Sequence, residues 1–410
     1  MHVREKSVHV RVVAGALLVP MLIAADASSQ AQDRALAVQA EDVYRVGGVD
    51  APAWAAFAEV DAVGFGPQGE LWIVDGRGIQ IVRVAPDGRS GVNHMKHGRG
   101  PGEFQRPTGL AVLGDGRLLV GDAVNRNLQL LGRDGGLITG VRADRTLRAA
   151  GFAWLEREQF VAVPEIFFID GGQAVFWGPE GMTPATRVPL LRFALGEELD
   201  VRTIATATYT QPPRNTVPFA SHAFGPDIHW SSHRGHIAVV DGVDYDIRVL
   251  DANGRQLMRV RRPVNPRSPS RADRTAAREE ARSRLIAPNG MPRVVGAVQG
   301  GGSGQTRDAR VVLGQIEAGL DAMTFARRIP VVIGLSHDDA GRIWVARTPD
   351  VWGRSPILDV FSPAGEYLGT TSALPRLPDA FGPGGLAAFI EKDELDVAYV
   401  RVIRLELNEQ

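Results

Sequence analysis

His97 to Gly135, HGRGPGEFQRPTGLAVLGDGRLLVGDAVNRNLQLLGRDG, is the stretch whose reading decides the fold. A glycine-rich approach (Gly98, Gly100, Gly102) leads to Pro107, and three apolar runs of strand length follow: Gly109 to Leu113, Leu118 to Val120 and Leu128 to Leu131. The separators, Gly114-Asp115-Gly116 and Asp122 to Asn127, are turn chemistries that supply positive φ or side-chain-closed turns, and the unit ends at Asp134-Gly135. A fourth strand before or after it completes an antiparallel meander.

The same frame recurs. Gly116, Asp122 and Gly135 stand 6 and 13 residues apart, as do Gly69, Asp75 and Gly88, and again Gly235, Asp241 and Gly254. After the first glycine come Leu71 to Val74, Leu118 to Val120 and Ile237 to Val240; after the aspartate come Ile81, Leu128 and Ile247. A looser copy runs from Gly341-Arg342-Ile343-Trp344-Val345 through Ile357 to Gly365, with 24 rather than 19 residues between its glycines. Self-similarity built of short strands and turns signals the blades of a radial β-array.

The mean composition of the 410-residue chain fits such a fold: 44% hydrophobic, with 47 glycines and 26 prolines. A formal charge of -1 implies no basic surface, so nucleic acid is not an expected partner. His2, Arg4, Lys6, His9 and Arg11 precede an apolar run from Val12 to Ala25, then small residues. This is the layout of a secretory signal peptide over residues 1–31, cleaved after Ala27 or Ala31, and the apolar run is short for a bilayer span. No integral membrane segment is expected after cleavage. With no cysteine there is no disulfide or thiolate chemistry, and the expected location is periplasmic or extracellular.

Residues 32–42 read as a tether, and 43–410 as an all-β, six-bladed β-propeller. Val43 to Val46 is a stray first strand suited to completing the last blade, whose other three strands lie within Gly385 to Leu407; closure of this kind removes exposed sheet edges. Blade three is degenerate: Phe160 to Val163, Ile166 to Ile169 and Ala174 to Trp177 are strand-like without the aspartate signature, and Val201 to Thr210 supplies an outer strand. Between blades four and five the pattern stops over 263–328. Ser270-x-x-Asp273 caps a helix to about Leu285, Gly300 to Gly304 form a linker, and a second helix is predicted over Val311 to Ala326. Arg274, Arg278 and Arg282, at i, i+4 spacing, read as a solvated face. Trp72 and Trp344, each three residues after its glycine, are predicted to be buried between neighbouring blades.

These residues resemble NHL-type repeats and, more closely, the bacterial exported six-bladed β-propeller proteins built from them. The resemblance rests on Gly98-x-Gly-Pro-Gly-Glu-Phe104, Pro107, Gly116-x-Leu-x-Val120, Asp122-x-x-Asn125-x-Asn127 and the late Gly-Arg-Ile-Trp-Val345 strand. Blade three departs from it, as does blade five, where Arg347 replaces the aspartate. The family implies no single reaction.

In a meander the glycine turns share one face of the propeller, and the aspartate loops and glycine-rich approaches share the other, where propeller ligands are expected beside the channel. The candidates there are His94, His97, Arg99, Glu103, Asn125, Arg126, Asp244 and Arg347, while Asp75, Asp122 and Asp241 read as turn-closing residues. His229, His233 and His236 straddle two places, whereas zinc needs its nitrogens within about 2.1 Å of one point. No nucleophile elbow, His-Glu-x-x-His or phosphate loop appears. The leading expectation is a binding or scaffolding propeller that takes a small molecule, glycan or peptide. The alternative is a divalent-metal-dependent hydrolase or lyase resembling propeller enzymes that hold a cation, calcium or zinc, at the channel mouth, with Asn125, Asp244 and His97 as contributors.

Overall fold

The computed structural model describes residues 33–122, 124–125, 127–142, 167–169, 173–177, 187–194, 201–208, 216–287, 289–293 and 309–408. The signal-peptide region, Arg126, the runs at 160–163 and the linker at 300–304 lie outside the described residues.

In chain order, β1 (Ala37–Gly47) precedes a meander of β2 (Val60–Phe65), β3 (Leu71–Asp75), β4 (Gln80–Val84) and β5 (Gly91–Asn93). The second meander is β6 (Pro107–Val112), β7 (Leu118–Asp122), β8 (Asn127–Leu131) and β9 (Leu137–Arg142). After β10 (Phe167–Ile169), β11 (Gln173–Trp177), β12 (Arg187–Ala194), β13 (Val201–Thr208) and the short β14 (His222–Ala223) comes a further meander of β15 (His229–His233), β16 (His236–Val240), β17 (Asp246–Leu250) and β18 (Gln256–Arg261). Two helices, α1 (Arg271–Leu285) and α2 (Ala309–Asp321), and β19 (Thr324–Phe325) then lead to β20 (Val332–His337), β21 (Ile343–Arg347), β22 (Ile357–Phe361) and β23 (Tyr367–Thr371). The last strands are β24 (Ala380–Phe381), β25 (Leu386–Lys392) and β26 (Ala398–Asn408); β1 pairs antiparallel with β26, placing Tyr44 opposite Val402 and Val46 opposite Val400. The first strand of the chain thus completes its last sheet. The chain folds as a β-propeller.

The glycine–aspartate frame has a physical cause at each end of a blade. At the glycine turns, Gly69 and Gly116 both sit at φ +84, and their N–H groups donate to Gly66 O and Leu113 O at 3.0 and 2.8 Å. An L side chain is strained in that conformation. At the other end, the carboxylate of Asp75 accepts from Ala58 N (2.7 Å), Glu59 N (3.0 Å) and Gly78 N (2.6 Å). Asp122 does the same with Gln105 N (2.6 Å), Arg106 N (3.2 Å), Val124 N (2.9 Å) and Asn125 N (2.8 Å). Each buried carboxylate ties its own turn to the chain arriving at the first strand, so the aspartate fixes how one blade follows the next.

The sheets pack through their apolar faces. Trp72 lies among Phe104, Leu118, Val120 and Leu131 of the following blade, and Trp344 among Ala387, Phe389, Ile403 and Leu405 of the closing one; both indoles are fully buried, as predicted. Leu71, Ile73 and Phe65 face Leu386, Ala388 and Val400, joining the first blade to the closing sheet.

Two expectations need correction. The sequence predicts six blades, and five are counted. The third unit, β10–β13, is a four-stranded antiparallel sheet whose sequence lacks the glycine–aspartate spacing of the other blades. The first strand starts at Ala37 rather than Val43, so most of the predicted tether is sheet. The arginine face of α1 is exposed, as expected, with the Arg274 and Arg278 guanidinium carbons 5.8 and 5.1 Å from the Phe325 ring centroid and Arg282 paired with Glu317 of α2 at 2.7 Å. The predicted Ser270 cap is present, with Asp273 completing the capping box.

Candidate ligand site at the channel mouth

Innermost strands run from the aspartate-loop end of each blade to its glycine-turn end, so the register that positions one positions all. Val60 opposes Asp75 and Phe65 opposes Leu71 in the first blade; Val332 opposes Arg347 and His337 opposes Ile343 in the blade of β20–β23, with a bulge at the same place in both. Phe65 and His337 are therefore equivalent residues, each the last on its inner strand. In the second blade Val112, opposite Leu118, has that place. Each ends at the mouth of a cavity of about 610 Å³ on the glycine-turn side, whose other walls include Ser232, His233, Asp338, Phe381 and Gly382. Five sheets contribute to it.

The β20 wall is polar. His337 Nδ1 lies 2.9 Å from Ser231 Oγ on the neighbouring inner strand, and the rings of His233 and His337 stack with centroids 6.1 Å apart. Burial pushes the His337 imidazole down to about 3, with the adjacent His233 adding to the effect. His233 is also lowered, by burial first and then by Arg234. Both rings are neutral at pH 7, each offering one donor and one acceptor. Several of the charges around them are paired within the wall, while the exposed Arg234 also lines it. Asp338 accepts from Arg342 Nε (2.7 Å) and Trp344 Nε1 (2.9 Å), Asp339 accepts from Gly384 N (2.9 Å), and Arg117 Nε pairs with Asp115 at 2.7 Å. Opposite them the wall is apolar, with Phe65 packed beside Gly382, where a Cβ would come within 2.4 Å of the Phe65 ring. A mouth with neutral donors and acceptors on one side and aromatic surface on the other suits an uncharged polar ligand.

The residues singled out from the sequence gather elsewhere. Glu103, Asn125 and the 97–104 loop form one self-bonded knot: Glu103 Oε2 accepts from Gly100 N (2.9 Å), and Asn125 Nδ2 donates to Gly98 O (2.9 Å) and Asp122 (3.1 Å). His97 and Arg99 are exposed on that loop, with Arg99 Nε donating to Gln105 Oε1 (3.2 Å). His94 packs 5.3 Å from Trp72 and under Gly135, and burial lowers its pKa, with the Arg83 charge acting in the same sense. Asp244 is exposed. Arg126 lies outside the described residues. Arg347 is separate from all of these, 2.9 Å from the buried Asp359 and 2.7 Å from Asp33. Of the three histidines weighed as a metal set, His233 and His236 face each other across a hairpin while His229 stands at the strand's far end, opposite Val240. Among the described residues no three His, Cys, Asp or Glu side chains come together as a metal site.

Sequence reasoning missed His337, Ser231 and Phe381. For His337 and Phe381 the usable signal was positional, because each precedes its turn glycine, Gly341 and Gly385, by the same offset as Phe65 precedes Gly69 and Val112 precedes Gly116.

No family model and no curated protein matches the chain. Solved structures resemble it in fold. They include a member of the DUF4221 family from Bacteroides vulgatus (10% identity, covering 90% of this chain and 99% of that one, TM-score 0.49). A gluconolactonase from Xanthomonas campestris matches at 12% identity over 91% and 99% of the two chains, TM-score 0.38. Virginiamycin B lyase from Staphylococcus aureus matches at 10% over 92% and 89%, TM-score 0.38. No helix among the described residues is long and apolar enough to cross a membrane.

Proposed function

We propose that the chain is an exported, NHL-type propeller that binds a small molecule, glycan or peptide at the glycine-turn mouth of its channel. The observation that carries the reading is the cavity into which five sheets each send an inner-strand end or turn, with neutral imidazoles on one wall and phenylalanines on another. β10 runs beside both β6 and β15, which supports β10–β13 as the remaining blade between them. Charged residues before an apolar run and small residues over 1–31 support export.

Gly114 lines the mouth and, among the described residues, has no atom within 4 Å of where its Cβ would stand. Gly114→Trp therefore fills the cavity without strain. In thermal-shift assays against neutral saccharides, amino acids and short peptides, at least one class is expected to raise the Tm of wild type and not of Gly114→Trp. A ligand that stabilises both proteins equally would move the site elsewhere. Stabilisation of wild type by calcium or zinc, reversed by chelator, would favour a metal-dependent hydrolase or lyase in place of a binding protein.

A further inference from the structure

At the aspartate-loop end of β20–β23, two arginines and a carboxylate are buried together. Arg262 and Arg347 have side chains 4% and 8% exposed, and Asp359 between them is fully buried. Asp359 is saturated: Oδ1 accepts from Thr370 Oγ1 (2.6 Å), and Oδ2 accepts from Tyr245 OH and Arg262 Nη1, both at 2.9 Å, with Arg347 Nε also 2.9 Å away. Two guanidinium groups against one carboxylate leave one positive charge to be balanced, and a buried unbalanced charge is costly.

Asp33 supplies the balance from the start of the described chain. Its Oδ1 accepts from Arg262 Nη2 at 2.8 Å and its Oδ2 from Arg347 Nη2 at 2.7 Å, so one carboxylate bridges both arginines. Tyr367 stacks under Arg262, with the guanidinium 4.0 Å from the ring centroid, and fixes the plane of that donor. The residues after Asp33 lie as a short parallel strap on the edge of β23: Leu36 N donates to Thr370 O (2.8 Å), Thr370 N donates to Arg34 O (2.7 Å), and Arg34 Nε donates to Leu368 O (2.9 Å). Leu36 tucks into the apolar cluster around Trp344. Asp33 itself is 40% exposed, so the fork opens to solvent on the side from which the strap arrives.

We propose that Arg262 and Arg347 form a carboxylate-binding site which the chain fills with its own Asp33, that this occupancy holds the 33–36 strap against β23, and that the site accepts a free carboxylate when Asp33 is removed. The donors are preorganised by Asp359 and Tyr367 whether or not the strap is present, and paired guanidinium donors match a planar carboxylate.

The test is chemical rescue. Asp33→Ala deletes the carboxylate, the group that acetate can return to the fork, whereas Asp33→Asn keeps the space filled without the charge. In chloride buffer both variants are expected to melt several degrees below wild type, and trypsin is expected to cut after Arg34 faster in both. Sodium acetate at matched ionic strength should raise the Tm of Asp33→Ala and slow that cleavage, leave Asp33→Asn unchanged, and leave wild type unchanged. Phosphate run in parallel distinguishes a planar carboxylate site from a general anion site; equal rescue by both would still place the anion in the fork. The proposal is overturned if Asp33→Ala melts like wild type, or if acetate acts alike on all three proteins.

Discussion

The first blade (β2–β5) and the blade of β20–β23 share the lengths of their first three strands, their register and even the position of a bulge, yet they carry opposite chemistry at equivalent positions. At the end of the second strand one has Asp75, whose carboxylate gathers backbone N–H groups from the approaching chain; the other has Arg347, which must find Asp359 and Asp33. At the end of the inner strand one has Phe65 against an apolar neighbour, the other His337 against Ser231 and His233. A blade's frame is thus indifferent to which charge occupies a joint, provided that a partner is delivered. The aspartate takes its partners from the local main chain, whereas the arginine depends on side chains far away in sequence.

That difference sets the largest expected effect. Asp359→Ala leaves Arg262 and Arg347 with one exposed carboxylate between them and should cost about 3–5 kcal/mol in denaturant unfolding. Asp122→Ala, which strands backbone donors that water can partly reach, should cost roughly 2–4 kcal/mol. If Asp359→Ala proved the milder of the two, the buried cluster would not be the joint that holds its blade.

The two tryptophans offer a finer comparison. Trp344 Nε1 donates to Asp338 at 2.9 Å, while Trp72 Nε1 has no hydrogen-bond partner among the described residues. Shrinking each to phenylalanine opens a similar void, but only Trp344→Phe breaks a bond to a buried carboxylate. It should be the costlier by about 1–2 kcal/mol, measured by equilibrium unfolding of both variants. Equal losses would mean that the Asp338 contact adds nothing beyond packing.

The smallest effects are read from pH. In the folded protein His337 is held at about 3 by burial and by His233, against 6.5 unperturbed. Between those values the unfolded chain binds a proton that the folded one does not, so stability falls as pH drops from 6.5 toward 3. Asp61 in the first blade is shifted the other way, from 3.8 to about 6, by burial first, with the Gly76 N–H opposing and Glu59 adding. There the folded chain holds a proton that the unfolded one has lost, so stability falls as pH rises through that window. His337→Gln should flatten the acid limb of a Tm profile. Asp61→Asn should raise Tm above pH 6 and leave it unchanged below pH 3.8. Profiles that respond in the reverse sense would mean that neither group is desolvated as described.

Much of the fold was legible because its causes are local. A glycine at φ +84 and an aspartate that closes its own turn each act within a few residues, so their spacing survives in the sequence as a repeat. Where the glycine–aspartate spacing is absent from the sequence, in the third unit, the reading weakened accordingly. Asn125 and Glu103 stand on the face where the sequence places ligands, but their side chains serve loop closure.

What the sequence determined by itself was the meander, the burial of Trp72 and Trp344 and the pairing of the first strand with the last sheet, since periodicity and turn chemistry are properties of neighbouring residues. Tertiary structure alone decided which residues meet across blades. His337 reaches Ser231 across 106 positions, and Arg347 reaches Asp33 across 314. No spacing rule encodes such contacts, because they depend on how whole sheets are turned against one another. The mouth and the arginine fork both arise there, from side chains whose partners are supplied by packing rather than by the local chain.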